Sequence, residues 1–243
     1  MNLVDIFNQY KPKAIINLIA MTNVDQCELY PNKAYVVNVE IVERIMIAIS
    51  KLDYKPHFIH ISTDHIYDGS NFNREQEIYL KNYYAYSKYL AEKIINYKNS
   101  IILRTNFFGK SKSEGRNSLT DWLFDMISQD VDFTVFRDQF FSPLHINTLC
   151  KIIDIVIDRK TIGTYNLGSN AGMSKANFAK VFFYNLKVNP HKMKIGTTAN
   201  NQNLIAKRPK DMRMDVSLIE HELGIILPEL IEEIKKCTQE YNL

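Results

Sequence analysis

The 243-residue sequence predicts an α/β protein built on a doubly wound parallel sheet, with a small C-terminal lobe. Three observations support this fold class. Short β-branched runs alternate with longer stretches whose apolar residues fall at helical spacing, as in βαβ units. The short runs are almost continuously apolar, which is typical of strands buried on both faces. Polar residues follow these runs, at the carboxyl ends where open α/β sheets bind their ligands.

The first half contains three predicted strands and three predicted helices. The predicted strands are 13–20 (KAIINLIA), 57–62 (HFIHIS) and 100–104 (SIILR), and the predicted helices are 1–12, 32–52 and 84–97. Crossovers between parallel strands are almost always right-handed, so the helices are expected to cover both faces of the sheet.

The second half is less regular and predicts sheet-edge elements together with a lobe that leans over the carboxyl ends of the strands. Ser174 is a candidate N-cap for a helix that ends near residue 186. The other predicted helices are 117–129, 146–157 and 227–241, and the other predicted strands are 131–136 (VDFTVF) and 163–167.

Composition argues against several classes of function. The formal net charge is only +3 and the positive residues are scattered, so a nucleic-acid partner is not expected. The three cysteines are far apart in sequence, and none lies near a histidine at metal-ligand spacing, so neither a disulfide framework nor a metal site is expected. No apolar run is long enough to span a bilayer, and no apolar signal core is found near the start. We therefore expect a cytoplasmic protein without a membrane partner.

Three polar segments stand out together. Ser62-Thr63-Asp64 ends the second strand, Tyr84 and Lys88 form a Tyr-x-x-x-Lys pair on the next helix, and 104–109 follows the third strand. Residues four apart lie on one helix face, so the Lys88 ammonium is expected to lower the pKa of Tyr84 from its reference near 10. Such a tyrosine can protonate a carbonyl oxygen as a hydride reaches the carbon, while Thr63 donates a hydrogen bond to the same oxygen.

Each segment taken alone has a plain structural explanation. Tyr89 and Lys93 repeat the Tyr-x-x-x-Lys spacing in the same predicted helix, and small polar residues often satisfy backbone groups where a strand ends. His60 is expected to be a hydrogen-bonded strand residue, and His65 part of a pocket wall. Asp25 and Glu28 could bind a metal, but they are expected to begin the helix near Pro31, where carboxylates favour the positive end of the helix dipole.

The order of these segments resembles the extended short-chain dehydrogenase/reductases, and within them the dTDP-4-dehydrorhamnose reductase-like branch. The resemblance runs from about residue 11 to about residue 230. The matching segments are 17–25 (NLIAMTNVD), 61–69 (ISTDHIYDG), 103–109 (LRTNFFG), 138–143 (DQFFSP) and Arg208-Pro209.

This resemblance implies a Rossmann-like dinucleotide-binding part over 1–140 and an interleaved substrate-binding part over 141–243. It also implies NADH or NADPH as cofactor, a nucleotide-sugar as substrate and a role in cell-surface polysaccharide synthesis. Tyr84 would be the general acid, Lys88 would tune it and contact the nicotinamide ribose, and Thr63 would hold the substrate carbonyl. The implied cofactor-binding residues are Ala20, Met21, Thr22, Ile61, Tyr84 and Lys88, and the implied substrate-binding residues are Thr63, Asp64, Phe107 and Gln139.

The sequence departs from this family in its glycines. There are eight, the first is Gly69, and none belongs to the Gly-x-x-Gly-x-x-Gly turn that receives the pyrophosphate. The helix over 1–12 resembles the one that precedes the fourth strand of the family fold. About three strands with their helices, including the central first strand, are therefore expected to be missing. The strand at 13–20 is then expected to have an uncovered edge. A truncated or mis-started reading frame, a companion chain and a diverged protein all explain this.

Two other functions remain open at this point. One is a non-catalytic sugar-nucleotide-binding or regulatory subunit, as in the regulatory subunit of methionine adenosyltransferase. The other is a sugar-nucleotide epimerase or dehydratase. The protein is expected to be a homodimer, or to pair with a chain that supplies the glycine-rich part.

Overall fold

The structure, a computed structural model, describes residues 2–113, 115–201 and 204–241. Its centre is a four-stranded parallel sheet with strand order β1-β2-β3-β8. The strands are β1 (Ala14–Asn17), β2 (His57–Thr63), β3 (Ser100–Thr105) and β8 (Gly163–Leu167). Four short strands come between β3 and β8 in the sequence and lie outside this sheet: β4 (Phe107–Phe108), β5 (Phe133–Phe136), β6 (Phe140–Phe141) and β7 (Leu144–His145). All seven residues of β2 are buried, as its continuous apolar pattern predicts.

The predicted helices form, and two further helices, Val24–Leu29 and Ser217–Leu223, were not predicted. The helices of the first half are α1 (Leu3–Tyr10), α2 (Val24–Leu29), α3 (Pro31–Tyr35), α4 (Ile41–Ser50) and α5 (Tyr83–Ile94). Those of the second half are α6 (Leu119–Ser128), α7 (Ile146–Arg159), α8 (Lys175–Leu186), α9 (Ser217–Leu223) and α10 (Leu230–Thr238). Ser174 caps α8 as expected, because its side chain accepts a hydrogen bond from Asn177 N. None of the helices in the described ranges combines the length and apolar character that crossing a bilayer requires.

The predicted strand over 13–20 is wrong in its length and burial. Only Ala14–Asn17 is β1, and Leu18 and Ile19 are exposed. The Asn17 side chain accepts a hydrogen bond from Ile19 N at 3.2 Å, which turns the chain at the end of the strand. In the four-stranded sheet β1 is the edge strand, and its Ile16 is 42% exposed. The expected uncovered edge is thus confirmed within the described residues.

The predicted helix over 32–52 forms with a local change of pitch. Residues Val36–Glu40, between α3 and α4, are π-helical. A π-helical turn inside an α-helix shifts the direction of its side chains and is frequent at functional sites. Here it turns Asn38 inward, where it is buried.

A second core lies beside the sheet and is rich in phenylalanine. It includes Phe108, Phe178, Phe182 and Leu123, and α8 packs there against α10. Two small pairings complete this region: β10 (Met193–Gly196) runs parallel to β5, and β9 (Met173–Ser174) runs antiparallel to β6. The boundary at residue 140 stays a prediction. Across it, β8 pairs with β3 in the main sheet.

Candidate active site

The carboxyl ends of β2 and β3 carry adjacent polar side chains. Thr63 Oγ1 accepts a hydrogen bond from His65 N at 3.1 Å and so begins the 3₁₀ turn Asp64–Ile66. Asn106, which follows β3, donates from Nδ2 to Asp64 Oδ2 at 2.8 Å. Thr63 and Asp64 are therefore held side by side, and both are buried.

Helix α5 places Tyr84 and Lys88 beside this strand end. The Asn82 side chain caps the helix by accepting a hydrogen bond from Ala85 N at 2.9 Å. Tyr84, in the first turn, is buried and meets the His65 ring edge-on at a centroid distance of 5.4 Å. Lys88, one turn later, is 2% exposed and donates from Nζ to Ile61 O at 2.8 Å. The spacing that the sequence predicted thus brings Tyr84, Lys88 and Thr63 to one end of β2.

The expected lowering of the Tyr84 pKa is wrong for this structure. Burial raises the pKa of Tyr84 above its ordinary value, the Asp64 carboxylate adds to the rise, and the Thr63 hydroxyl opposes it. The ammonium of Lys88 is directed instead to the backbone of β2, and burial lowers its own pKa to about 8. At neutral pH Tyr84 therefore carries its phenolic proton and Lys88 carries its charge.

Burial is the main influence on the protonation of Asp64 and of His65. Burial raises the pKa of Asp64 to about 6, although its hydrogen bond from Asn106 and the positive charge of Lys175 act in the opposite direction. Burial also lowers the pKa of His65 to about 3, and Lys175 and Arg208 lower it further. His65 is therefore neutral at physiological pH and is a wall residue rather than an acid, in line with the expectation.

The loop after β1, which holds the predicted cofactor-side residues Ala20, Met21 and Thr22, is anchored by Asn38. Met21 N donates to Asn38 Oδ1 at 2.7 Å, and Asn38 Nδ2 donates to Ser87 Oγ of α5 at 2.8 Å. One amide thus ties this loop to the helix that carries Tyr84. The sequence did not identify Asn38 as a site residue, because its only distinguishing feature there is an amide side chain within an apolar stretch.

The predicted substrate-side residues lie in different environments. Phe107 is 48% exposed at the start of β4, next to Asn106. Gln139 is 1% exposed and donates from Nε2 to Pro209 O at 3.3 Å, so it supports the segment that contains Arg208. A contact of either residue with a substrate stays a prediction.

Three polar residues of the predicted segments have structural partners. The Arg104 guanidinium donates from Nη2 to Glu92 Oε2 at 2.7 Å and from Nη1 to the Tyr67 hydroxyl at 2.8 Å, deep in the core. Asp25 lies in the first turn of α2, which ends shortly before Pro31, and it pairs with Arg208. His60, as expected, is a buried strand residue, and its Nδ1 lies 3.1 Å from Asn17 Nδ2.

Comparison with known proteins places these features in a family. The family described as RmlD substrate binding domain matches residues 1–243. The spore coat polysaccharide biosynthesis protein SpsK of Bacillus subtilis (strain 168) is 27% identical over 172 residues, which is 69% of this chain and 58% of that protein. The dTDP-4-dehydrorhamnose reductase of Aggregatibacter actinomycetemcomitans is 30% identical over 237 residues, 90% of this chain and 78% of the relative.

A solved structure shares the fold. The crystal structure of dTDP-4-dehydrorhamnose reductase from Bacillus anthracis str. Ames in complex with NADP matches with a TM-score of 0.87 and 24% sequence identity. The match covers 98% of this chain and 84% of that one. The parallel sheet and its helices are therefore those of a Rossmann-like fold.

Proposed function

This chain belongs to the RmlD substrate-binding-domain family, and we propose that it acts in the NAD(P)H-dependent reduction of a nucleotide-activated 4-keto-6-deoxy sugar, in polysaccharide synthesis. The main support is the grouping of Thr63, Tyr84 and Lys88 at the carboxyl end of β2. The reductases among its relatives, and the NADP that one of them holds in its crystal structure, point to the same chemistry.

Tyr84 supplies the proton in this proposal. A bound NAD(P)H supplies the hydride to the carbonyl carbon. Because burial raises its pKa, Tyr84 holds its proton at neutral pH and gives it up only as negative charge develops on the carbonyl oxygen. Thr63 Oγ1, whose bond to Asp64 Oδ1 is long at 3.4 Å, turns to donate to the same oxygen.

The residues at this edge fit the nicotinamide end of the cofactor. Lys88 is buried and charged at neutral pH, and the loop at Ala20, Met21 and Thr22 is anchored to α5 through Asn38. We assign the nicotinamide ribose to Lys88 and Tyr84, and the cofactor-lining backbone to this loop and to Ile61. No residue is assigned to the diphosphate, because the eight glycines include no phosphate-binding turn.

On the substrate side, Asp64 and Phe107 are proposed to contact the sugar. Asp64 can accept or donate a hydrogen bond because its pKa is raised to about 6. The exposed ring of Phe107 offers an apolar surface for the sugar or the base. Gln139 acts indirectly, because its hydrogen bond to Pro209 O supports the segment that carries Arg208.

The test is loss of nicotinamide absorbance when the purified protein is mixed with NADPH and a dTDP-4-keto-6-deoxy sugar. Tyr84→Phe removes the proton donor and should lower kcat by about 10²- to 10⁴-fold. Tyr89→Phe is the matched control, because Tyr89 heads the second Tyr-x-x-x-Lys pair of α5 and should leave the rate nearly unchanged.

The same assay is run on the chain fused to the part of the Aggregatibacter relative that lies outside the match, since the match covers 78% of that protein. No turnover in either form, or equal rates for the two tyrosine variants, contradicts the proposal. Turnover only in the fused form supports the site and assigns the diphosphate contacts to the added segment.

A further inference from the structure

Three side chains with metal-ligand chemistry meet near the C-terminal end of the described chain, in the phenylalanine-rich core rather than at the Tyr84 site. They are His145 at the end of β7, Cys237 in the last turn of α10 and Glu240 just after it. One ring nitrogen, the thiol sulfur and one carboxylate oxygen lie within 4.8 Å of one another. Spacing in the sequence gave no sign of this cluster, because β7 and α10 come together only in the fold.

The His145 imidazole has an unsatisfied nitrogen in this cluster. The residue is 3% exposed, and its Nε2 makes no hydrogen bond with any described residue. Glu240 Oε2 lies 3.4 Å from that nitrogen without making a hydrogen bond, and would form an ion pair with it only if the imidazole were protonated. Leaving a buried nitrogen without a hydrogen bond costs on the order of 1–3 kcal/mol, and a cation bound at Nε2 would remove that cost.

Cys237 and Glu240 supply the other two donors. The Cys237 sulfur is fully buried, and its contact with Thr120 Oγ1 is long at 3.8 Å. Zinc-class cations bind the thiolate, so an ion that enters here releases the Cys237 proton to solvent. Glu240 Oε2 already accepts from Lys110 N at 3.1 Å, which orients the carboxylate.

Space beside the imidazole is kept open by Gly109. A Cβ added there would lie 3.3 Å from His145 Nε2 and 2.7 Å from the Ile146 side chain. The φ of Gly109 is +144°, a conformation that other residues rarely adopt.

We propose that His145, Cys237 and Glu240 bind a divalent transition metal of the zinc class, which fastens the end of α10 to β7. The nitrogen, sulfur and oxygen donors are those that Zn(II) accepts at about 2.0–2.3 Å. For tetrahedral coordination these lengths bring donors to roughly 3.5 Å from one another, so the cluster closes by about 1 Å when the ion enters. Three protein donors leave the fourth tetrahedral position to a ligand from outside the cluster.

Metal binding is measured on the full chain after removal of metal with a chelator. Co(II) is expected to give a sulfur-to-metal charge-transfer band and the visible bands of a tetrahedral site. Zn(II) is expected to displace it at one equivalent and to raise Tm. Cys237→Ser should abolish the charge-transfer band and weaken Zn(II) binding by about 100-fold or more.

The controls use the other members of the same residue types. Cys150→Ser in α7 and Glu232→Gln in α10 change exposed side chains and should leave both metals bound as before. Glu240→Gln keeps the core intact and should remove the Zn(II)-dependent rise in Tm, so the test stands even if Cys237→Ser does not fold. No Co(II) charge transfer in the parent protein, or Zn(II) affinity unchanged in both Cys237→Ser and Glu240→Gln, overturns the proposal.

Discussion

Arg208 Nη2 donates a hydrogen bond to Asp25 Oδ2 at 2.6 Å and Nη1 donates to Asp25 Oδ1 at 2.9 Å, across a sequence separation of 183 residues. The same carboxylate accepts from Ile205 N and Ala206 N. Four hydrogen bonds at one carboxylate join α2, next to the predicted cofactor-side loop, to the segment that Gln139 supports. Arg208 thus connects the two sides of the candidate site.

Breaking this pair should loosen the connection and destabilise the fold modestly. Asp25→Asn is expected to lower the free energy of unfolding by about 1 kcal/mol at neutral pH, a value kept small by solvent screening of a partly exposed pair. The pKa of Asp25 is lowered, first by its bond to Arg208, so this stabilisation is present above the unfolded pKa and is lost as the pH falls below it.

Urea denaturation of Asp25→Asn, Arg208→Lys and the double variant measures the coupling between the two side chains. Asp132→Asn, which breaks an exposed pair with Lys194, is the control and should have little effect. Additive losses in the double variant would show that the pair is not coupled.

Lys88 and Lys93 allow a direct comparison of two lysines on α5. Lys88→Met removes a buried ammonium that donates to Ile61 O, and is expected to reduce kcat/KM for the NADPH-dependent reduction of the sugar by about 100-fold or more, since the nicotinamide ribose loses the donor assigned to it. Lys93→Met removes an exposed ammonium that lies 4.7 Å from the Tyr89 ring centroid, and should change little. Steady-state kinetics, with circular dichroism to check folding, decide between them. Equal effects would remove Lys88 from the site.

Asp64→Asn should stabilise the protein in a pH-dependent manner. The pKa of Asp64 is raised from 3.8 to about 6 by burial, so between these values the folded state holds a proton that the unfolded state has lost. The stability that Asp64 contributes is therefore present below pH 3.8 and is lost as the pH rises to about 6. Above that pH the variant should gain roughly 2–3 kcal/mol, with little gain near pH 4. Denaturation curves over this range test the slope, and a gain independent of pH would refute the assignment.

Glu92 and Arg104 form a buried ion pair beneath the site. Glu92→Gln leaves the Arg104 charge without its partner, and the free energy of unfolding is expected to fall by about 3–5 kcal/mol. Arg44→Met is the control, because it removes the exposed ion pair between Arg44 and Glu40. It should leave the free energy of unfolding nearly unchanged. Chemical denaturation gives both values, and a similar small loss for the two variants would argue that water reaches the Glu92 carboxylate.

Much of the fold could be predicted because its signals are local. Short β-branched and aromatic runs identify β2, β3 and β8 to within one residue at each end, and helical periodicity identifies α5, α7 and α8. Helix geometry likewise brings Tyr84 and Lys88 onto one face of α5. The misjudged element is β1, where the apolar run continues past Asn17 although the strand ends there. An apolar side chain usually indicates burial, but β1 is the edge strand of the sheet, and Leu18 and Ile19 after it are exposed.

The sequence by itself determined the parallel α/β architecture, the order of its elements and the residues that meet at the end of β2. Only the tertiary structure decided the Asp25–Arg208 pair, the Asn38 anchor of Met21 and the meeting of His145 with Cys237. The physical reason is that hydrophobic periodicity shows which face of a segment is buried and depends only on residues a few positions apart. Contacts between distant segments depend on how whole elements pack. The protonation of Tyr84 and Asp64 depends in addition on the burial that this packing creates.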